Sequence, residues 1–447
     1  MLVRARLLVS PLVGTRVKIW VVLPMPSGSV HPQTAGVTLS TVQVRPATRD
    51  RLLTPAFIRL AVADLAYFTA TGVAIYALPL WVTGPVGSDK SGAGLAFGAF
   101  AVSALILRPV AGRLSDTRGR RPLLVGGALI SAVGLLGTAY ADNLALVVLL
   151  RLLLGVAEAA FFVAAIAALA DLAPPSRMGE AISYNSLGLY LGLSFGPPLG
   201  ELLIMSAGFT AAWYGAAVLS VVAAVVAAGI KNVRSRSAPT AGHARLIHWK
   251  AVPPALGFFT SVLAMGVFFA FGALQAEAVG LTPVSAPLFV YGLVVVAGRL
   301  SLARVLDRFP ALLLGAVALA IIAGGFMIMA LWSSAIGMII GPAIFALGVT
   351  LSTPAFFSAI FATAKPGERG AASGTASVFL DLGIALGPMV LGLAAQAGGI
   401  PFAFGLAAAV VLVGCGWILM LSRAGRTRNV AAVESPAVAP DAQNLAR

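Results

Sequence analysis

Arg151 and Glu158 lie inside the run 144–169, which is otherwise apolar. A charge at that depth in a membrane helix costs about 3 kcal/mol on insertion scales and is functional by default. Seven residues apart, the two share one helical face. Glu158 is the leading candidate for a group that takes up and releases a proton; a structural ion pair with Arg151 is the alternative reading. Asp64 and Asp381 are two further acids within apolar runs, and Arg108 adds a cation near the end of one. Asp381 can pair with an arginine or take a proton. The chemistry available to this set is proton transfer and charge pairing.

Other chemistries leave no mark. Cys415, the single cysteine, sits in an apolar run and reads as a buried small side chain. His31, His243 and His248 all lie in polar segments, so no metal-ligand spacing is present. Neither a phosphate-binding Gly-x-x-x-x-Gly-Lys-Ser/Thr loop nor a His-Glu-x-x-His helix occurs. That argues against an ATP-driven pump and against a membrane enzyme or receptor. The lack of a filter-like segment disfavours a channel.

The surroundings of these residues explain their isolation. Of 447 residues, 59% are apolar and only 10% charged, against about 25% charged in a soluble domain. Such a chain cannot cover its own surface in water, so lipid must cover it. The formal charge of +15 is gathered in short clusters between apolar runs. That is the pattern of orientation signals, not of a nucleic-acid surface. Twelve apolar runs are predicted as membrane helices, at 56–81, 93–112, 122–140, 144–169, 180–204, 208–230, 251–277, 286–305, 311–331, 335–361, 371–396 and 401–422. Alternate loops carry the basic residues, among them Arg113, Arg177, Lys231, Arg304, Lys365 and Arg423, while the other set carries little beyond Lys90. Those loops and both termini are therefore expected in the cytoplasm.

The densest charge cluster is Gly112-Arg113-Leu114-Ser115-Asp116-Thr117-Arg118-Gly119-Arg120-Arg121, between the second and third runs. Asp116, at a helix end, can face the positive N-terminus of a neighbouring helix. Arg120 can pair with Asp171 at the end of the fourth run. A charged latch of this kind would hold the molecule shut on the cytoplasmic side; arginines that only set topology are the alternative. The sequence also repeats. Gly179, Ala181, Gly192, Gly196 and Pro197 recur 191 residues later as Gly370, Ala372, Gly383, Gly387 and Pro388. Gly112-Arg113-Leu114-Ser115 recurs at 298–301, offset by 186. A common offset near 190 residues implies a duplicated six-helix unit. Glycines four apart, as at 188, 192, 196 and 200, make a groove that admits a second helix closely, and Pro197 permits a bend.

These motifs resemble the major facilitator superfamily, and within it the bacterial drug and sugar efflux permeases, over about residues 55–422. The family's loop pattern Gly-x-x-x-Asp-Arg-x-Gly-Arg-Arg is matched by Gly112, Asp116, Gly119, Arg120 and Arg121, with Thr117 in place of the usual arginine. In the family, Asp116 would face helix 11, here starting near Gly370. Arg151 and Gly155 match a helix-4 motif associated with proton transfer or substrate binding. Gly192, Gly196, Pro197 and Gly200 match the antiporter motif Gly-x-x-x-Gly-Pro-x-x-Gly-Gly, whose last position here is Glu201. The resemblance favours export in exchange for protons; plain helix packing is the other reading of the glycines.

The expected protein is thus an all-α integral membrane protein with twelve transmembrane helices in two pseudo-symmetric six-helix bundles. Residues 1–54 would be a basic disordered extension, 55–230 the first bundle, 231–250 a cytoplasmic linker, 251–422 the second bundle and 423–447 a disordered tail. An over-extended reading frame, with the start near Met25 or Val37, is a further reading of the extension. The expected function is proton-coupled efflux of a drug or sugar-like small molecule by alternating access in the plasma membrane, with proton-coupled uptake as the alternative. An ion gradient would drive it with no bound cofactor. Its partners would be the substrate and the lipid bilayer, with no nucleic acid, and the monomer would be the working unit. Tyr76, Tyr184, Tyr190 and Phe269 are candidates to line a central cavity.

Overall fold

The computed structural model describes residues 52–174, 177–232, 247–306, 309–365 and 368–434. Most of the expected N-terminal extension and linker, and the end of the expected tail, lie outside the described residues. Every regular element among the described residues is a helix: α1 (Pro55–Thr83), α2 (Lys90–Arg118), α3 (Arg120–Thr138), α4 (Leu144–Leu172), α5 (Met178–Ala228), α6 (Val252–Ala278), α7 (Ala286–Leu306), α8 (Ala311–Leu331), α9 (Gly337–Ala362), α10 (Arg369–Gly398) and α11 (Ile400–Glu434). Among the described residues ten of these are long and apolar enough to cross a membrane, and α7 is a shorter apolar helix.

The fifth and sixth expected spans are both inside α5. The helix breaks at Ala207 and Gly208, where Gly208 takes φ 79°, a conformation that favours a residue without Cβ. Past the break the chain doubles back, so that the Leu203 side chain meets Gly215. In a straight helix those two residues would lie about 18 Å apart. With α5 resolved into its two spans and α7 included, the twelve expected spans are present. The last helix runs on to Glu434, past the expected end of its span at 422.

Helix starts follow local capping. Thr54, Asp89 and Asn143 each accept a backbone N–H three residues on, at α1, α2 and α4. Hydrogen bonds from Ser91 and the Gly92 N–H hold the Asp89 carboxyl below its usual range. Between caps the helices are apolar on every side. Val133, Leu149, Leu202, Val225 and Val413 are all more than 60% exposed, which is stable only against lipid.

Helices α1 to α5 pack mainly on one another, and so do α6 to α11. The two groups meet along two seams, α2 against α10 and α5 against α7, with α1 and α2 also touching α6. Inside each group the repeated glycines do the same work. Gly192 and Gly196 let α5 lie against Phe68, Thr69 and Gly72 of α1. Gly383 and Gly387 let α10 lie against Phe259 and Leu263 of α6. Their equivalent use in both halves is the duplicated offset made physical. A Cβ on Gly196 would stand 2.5 Å from the Gly72 Cα, backbone that cannot swing aside. Gly196→Val is therefore expected to destabilise the protein by about 1–3 kcal/mol through overpacking. Thermal unfolding in detergent measures this against Gly126→Val, whose added side chain starts in open space. Equal melting temperatures for the two variants would refute the packing argument.

Candidate functional site

The expected loop 112–121 is mostly helix: α2 runs on to Arg118 and α3 begins at Arg120, so the bend is Gly119 alone, whose φ is 96°. Arg120 begins α3 and is buried. Its Nε donates to Asp171 Oδ2 at 3.0 Å, and its Nη1 to Asp116 Oδ1 at 2.8 Å and Ser115 Oγ at 3.3 Å. Thr117 Oγ1 donates to the Arg113 carbonyl of its own helix. Asn232, just beyond α5, accepts from the Arg121 N–H and donates to the Arg118 carbonyl. It seats directly against Gly119. Sequence reasoning missed Asn232, which carries no charge and lies 111 residues from Arg121.

The expected facing of Asp116 toward the start of α10 is not formed. The Asp116 side chain is 59% exposed and bonds Arg120 within the first half. The Arg120 cluster therefore ties α2, α3 and α4 to one another and does not span the halves. Gly112 and Gly370 both look onto open space.

Deeper in, Arg151 and Glu158 are both buried but do not pair. Along the axis, seven residues place them about 10 Å apart, and Arg151 leans to α2. There its Nε donates to the Ala96 carbonyl at 3.1 Å and its guanidinium lies over Phe97 and Phe100, 5.7 and 4.7 Å from the ring centroids. Glu158 instead has Tyr67 beside it, with Arg108 and Asp381 close enough for their charges to act on it. Its Oε2 is buried with no hydrogen-bond partner, as are both oxygens of Asp64. Asn185 of α5 lies beside Asp64, and the charge of Glu158 reaches it. Buried polar atoms without partners are rare and call for a reason.

Asp381 finds the arginine that the sequence left unnamed. Arg108 of α2 donates from Nε to Asp381 Oδ2 at 2.6 Å and from Nη2 to Oδ1 at 2.9 Å. This bidentate pair crosses from one half to the other, and both side chains are largely buried. Phe162 lies 4.9 Å from the Arg108 guanidinium. The charge of Glu158 thus reaches Asp64 on one side, and those of Arg108 and Asp381 reach Glu158 on the other.

On the second seam Arg299 Nη2 donates to the Tyr190 hydroxyl at 2.8 Å and the guanidinium sits 4.4 Å from that ring's centroid. Of the aromatics expected at a cavity, Tyr190 takes part in this contact between halves. Tyr76 and Phe269 are buried in the main core and Tyr184 is exposed. On the face opposite the basic loops, Lys90 N donates to Gln396 Oε1, and Glu201 accepts from Val284 N and Ser285 N. Both contacts join the halves. Deeper in, Arg108–Asp381 joins the halves as well.

Apolar helices in two packed groups, joined deep inside by a buried ion pair, define a multi-pass membrane protein, and the relatives make it a transporter rather than an enzyme. A family model described as the Major Facilitator Superfamily matches residues 60–388, and the chain belongs to that superfamily. An MFS-type transporter of Salmonella typhimurium is 26% identical over 388 residues, covering 85% of this chain and 99% of the relative. One from Burkholderia mallei is 28% identical over 365 residues, covering 78% and 88%. In fold, the chain is similar to a bacterial homologue of the human lysosomal transporter Spinster in an inward-facing, occupied conformation. That match has TM-score 0.67 and 16% identity, and covers 82% of this chain and 96% of the other. The nucleoside transporter NupG matches with TM-score 0.66 and 14% identity, over 83% and 98%.

Proposed function

We propose that this transporter exports a small drug-like or sugar-like molecule in exchange for protons. In this reading it works by alternating access as a monomer in the plasma membrane, its basic loops and both termini in the cytoplasm. The conformation described above is then inward-facing. The observation that carries the reading is Arg108, bound to Asp381 across the halves while Glu158 stands within its field. An ionised Glu158 competes with Asp381 for the arginine. A protonated Glu158 leaves Arg108 to Asp381. Proton binding thereby alters a contact between the halves, and a ligand shifts a conformational equilibrium only through such a difference between states. Asp64 is the second proton site in this scheme, its unpartnered carboxyl one link further from the seam. The glycine motif at Gly192, Gly196 and Pro197 favours exchange over uptake through its resemblance to the antiporter pattern. The positive-inside pattern of the loops supports the orientation.

The test uses purified protein in liposomes holding a pH-sensitive dye and a panel of cationic drugs and sugars. With the lumen acid, adding a true substrate outside is expected to drive substrate inward and release luminal protons. Accumulation only with the opposite gradient would establish uptake by symport. Transport indifferent to either gradient across the panel would remove the proton from the scheme.

A further inference from the structure

The antiporter-like motif on α5 departs from the family pattern at one position, where Glu201 replaces a glycine. The structure gives that side chain a specific task. It is buried, and its two oxygens are both engaged: Oε1 accepts from Val284 N at 2.7 Å and Oε2 from Ser285 N at 2.9 Å. Those N–H groups belong to the two residues immediately before α7, where donors lack intrahelical partners and the helix dipole is positive. A carboxylate with one N–H on each oxygen makes two charge-assisted bonds. Glu201 is in the first half and α7 in the second, so both bonds cross between the halves on the face opposite the basic loops.

The other seam repeats the arrangement. Lys90 N, the first residue of α2, donates to Gln396 Oε1 of α10 at 3.2 Å. The 191-residue offset carries position 201 to 392, one helical turn before Gln396. In each seam, then, a side chain near the outer end of one half binds the backbone that opens a helix of the other half. The two ties are unequal. Glu201 brings a full charge and two bonds; Gln396 brings a neutral carbonyl and one.

We propose that Glu201 is the positioning residue of the outer gate. Its bonds to the start of α7 hold the outward mouth closed, with Gln396 as a weaker second tie, and both must release before the outward-facing state can form. This rests on the alternating-access reading above. It assigns to this chain a gate that a glycine at the same position could not form.

The experiment needs neither substrate nor gradient. Ser194, buried in the same seam against Gly292 and Phe289, is changed to cysteine in a Cys415→Ser background, so that the introduced thiol is the only one. Protein in liposomes is treated from outside with a membrane-impermeant maleimide, and the orientation exposing the outer face is selected by a tag on the external loop. The parent is expected to label slowly. Glu201→Ala is expected to label at least ten-fold faster, Glu201→Gln several-fold faster, and Gln396→Ala less than either Glu201 variant. Size-exclusion profiles establish folding, and Glu201→Gln decides the matter alone if the alanine variant does not fold. Parent-like labelling in folded Glu201→Gln and Glu201→Ala overturns the gate while leaving alternating access standing. Absence of labelling in the parent and in every variant, with full labelling after denaturation, overturns alternating access itself.

Discussion

Glu158→Gln is expected to lower substrate accumulation driven by an acid lumen at least ten-fold, to the level of downhill leak, while substrate–substrate exchange across the same liposomes continues. Glutamine fills nearly the same volume and keeps a partner for Tyr67, but it cannot lose a proton. Arg108 would then stay with Asp381 at every pH, and the halves would no longer sense the gradient. Retained exchange shows that the fold and the substrate route survive, so the loss can be read as uncoupling. Gradient-driven accumulation equal to that of the parent would exclude Glu158 as the coupling group. Repeating the measurement with Asp64→Asn separates the two candidates: the residue whose neutralisation uncouples without abolishing exchange is the proton site.

The second large effect concerns the pair that crosses the halves. Arg108→Leu and Asp381→Leu each leave one buried charge without its counterion, and each is expected to cost about 3–5 kcal/mol. In the double variant both charges are gone, and apolar side chains fill the space. Much of the lost stability is expected to return, because a buried pair is nearly neutral against an apolar replacement. Transport coupled to protons should not return, since nothing remains for Glu158 to compete over. Thermal unfolding in detergent, set beside transport in liposomes, checks both halves of the expectation. Additive destabilisation in the double variant would show that the two residues do not act as a pair. Recovery of coupled transport along with stability would show that the pair is structural alone.

Much of this protein is legible in its sequence because charge is so scarce in it. Twelve apolar runs and an alternating basic loop pattern need no tertiary information, and even the reversal at Gly208 falls where two runs abut. Arg120 and Asp171 could be paired on paper because both lie at helix ends on the same face. Periodicity failed at Arg151 and Glu158. Sharing a helical face is not sharing a depth, and a long arginine side chain reaches a neighbouring helix as easily as its own. The partner of Arg108 lies 273 residues away, a separation on which local pattern is silent. Glu201 was visible only as a departure from a motif. Its role depends on backbone N–H groups, which every residue but proline possesses and which therefore leave no trace in residue type.

The seam between α2 and α10 has one more consequence. Gly94 and Gly98 face the main-chain carbonyls of Pro388 and Ala385, and Gly392 faces Gly94. The Met389 side chain also closes on Gly98, and the Phe271 ring on Gly392. In the proposed alternating access, a backbone-to-backbone seam of this kind acts as a bearing between the halves. The resistance to motion then sits in a few polar ties at known atoms, and about 1.4 kcal/mol at any one of them is a ten-fold change in rate. The speed of this transporter is open to adjustment by single substitutions that leave its packing untouched.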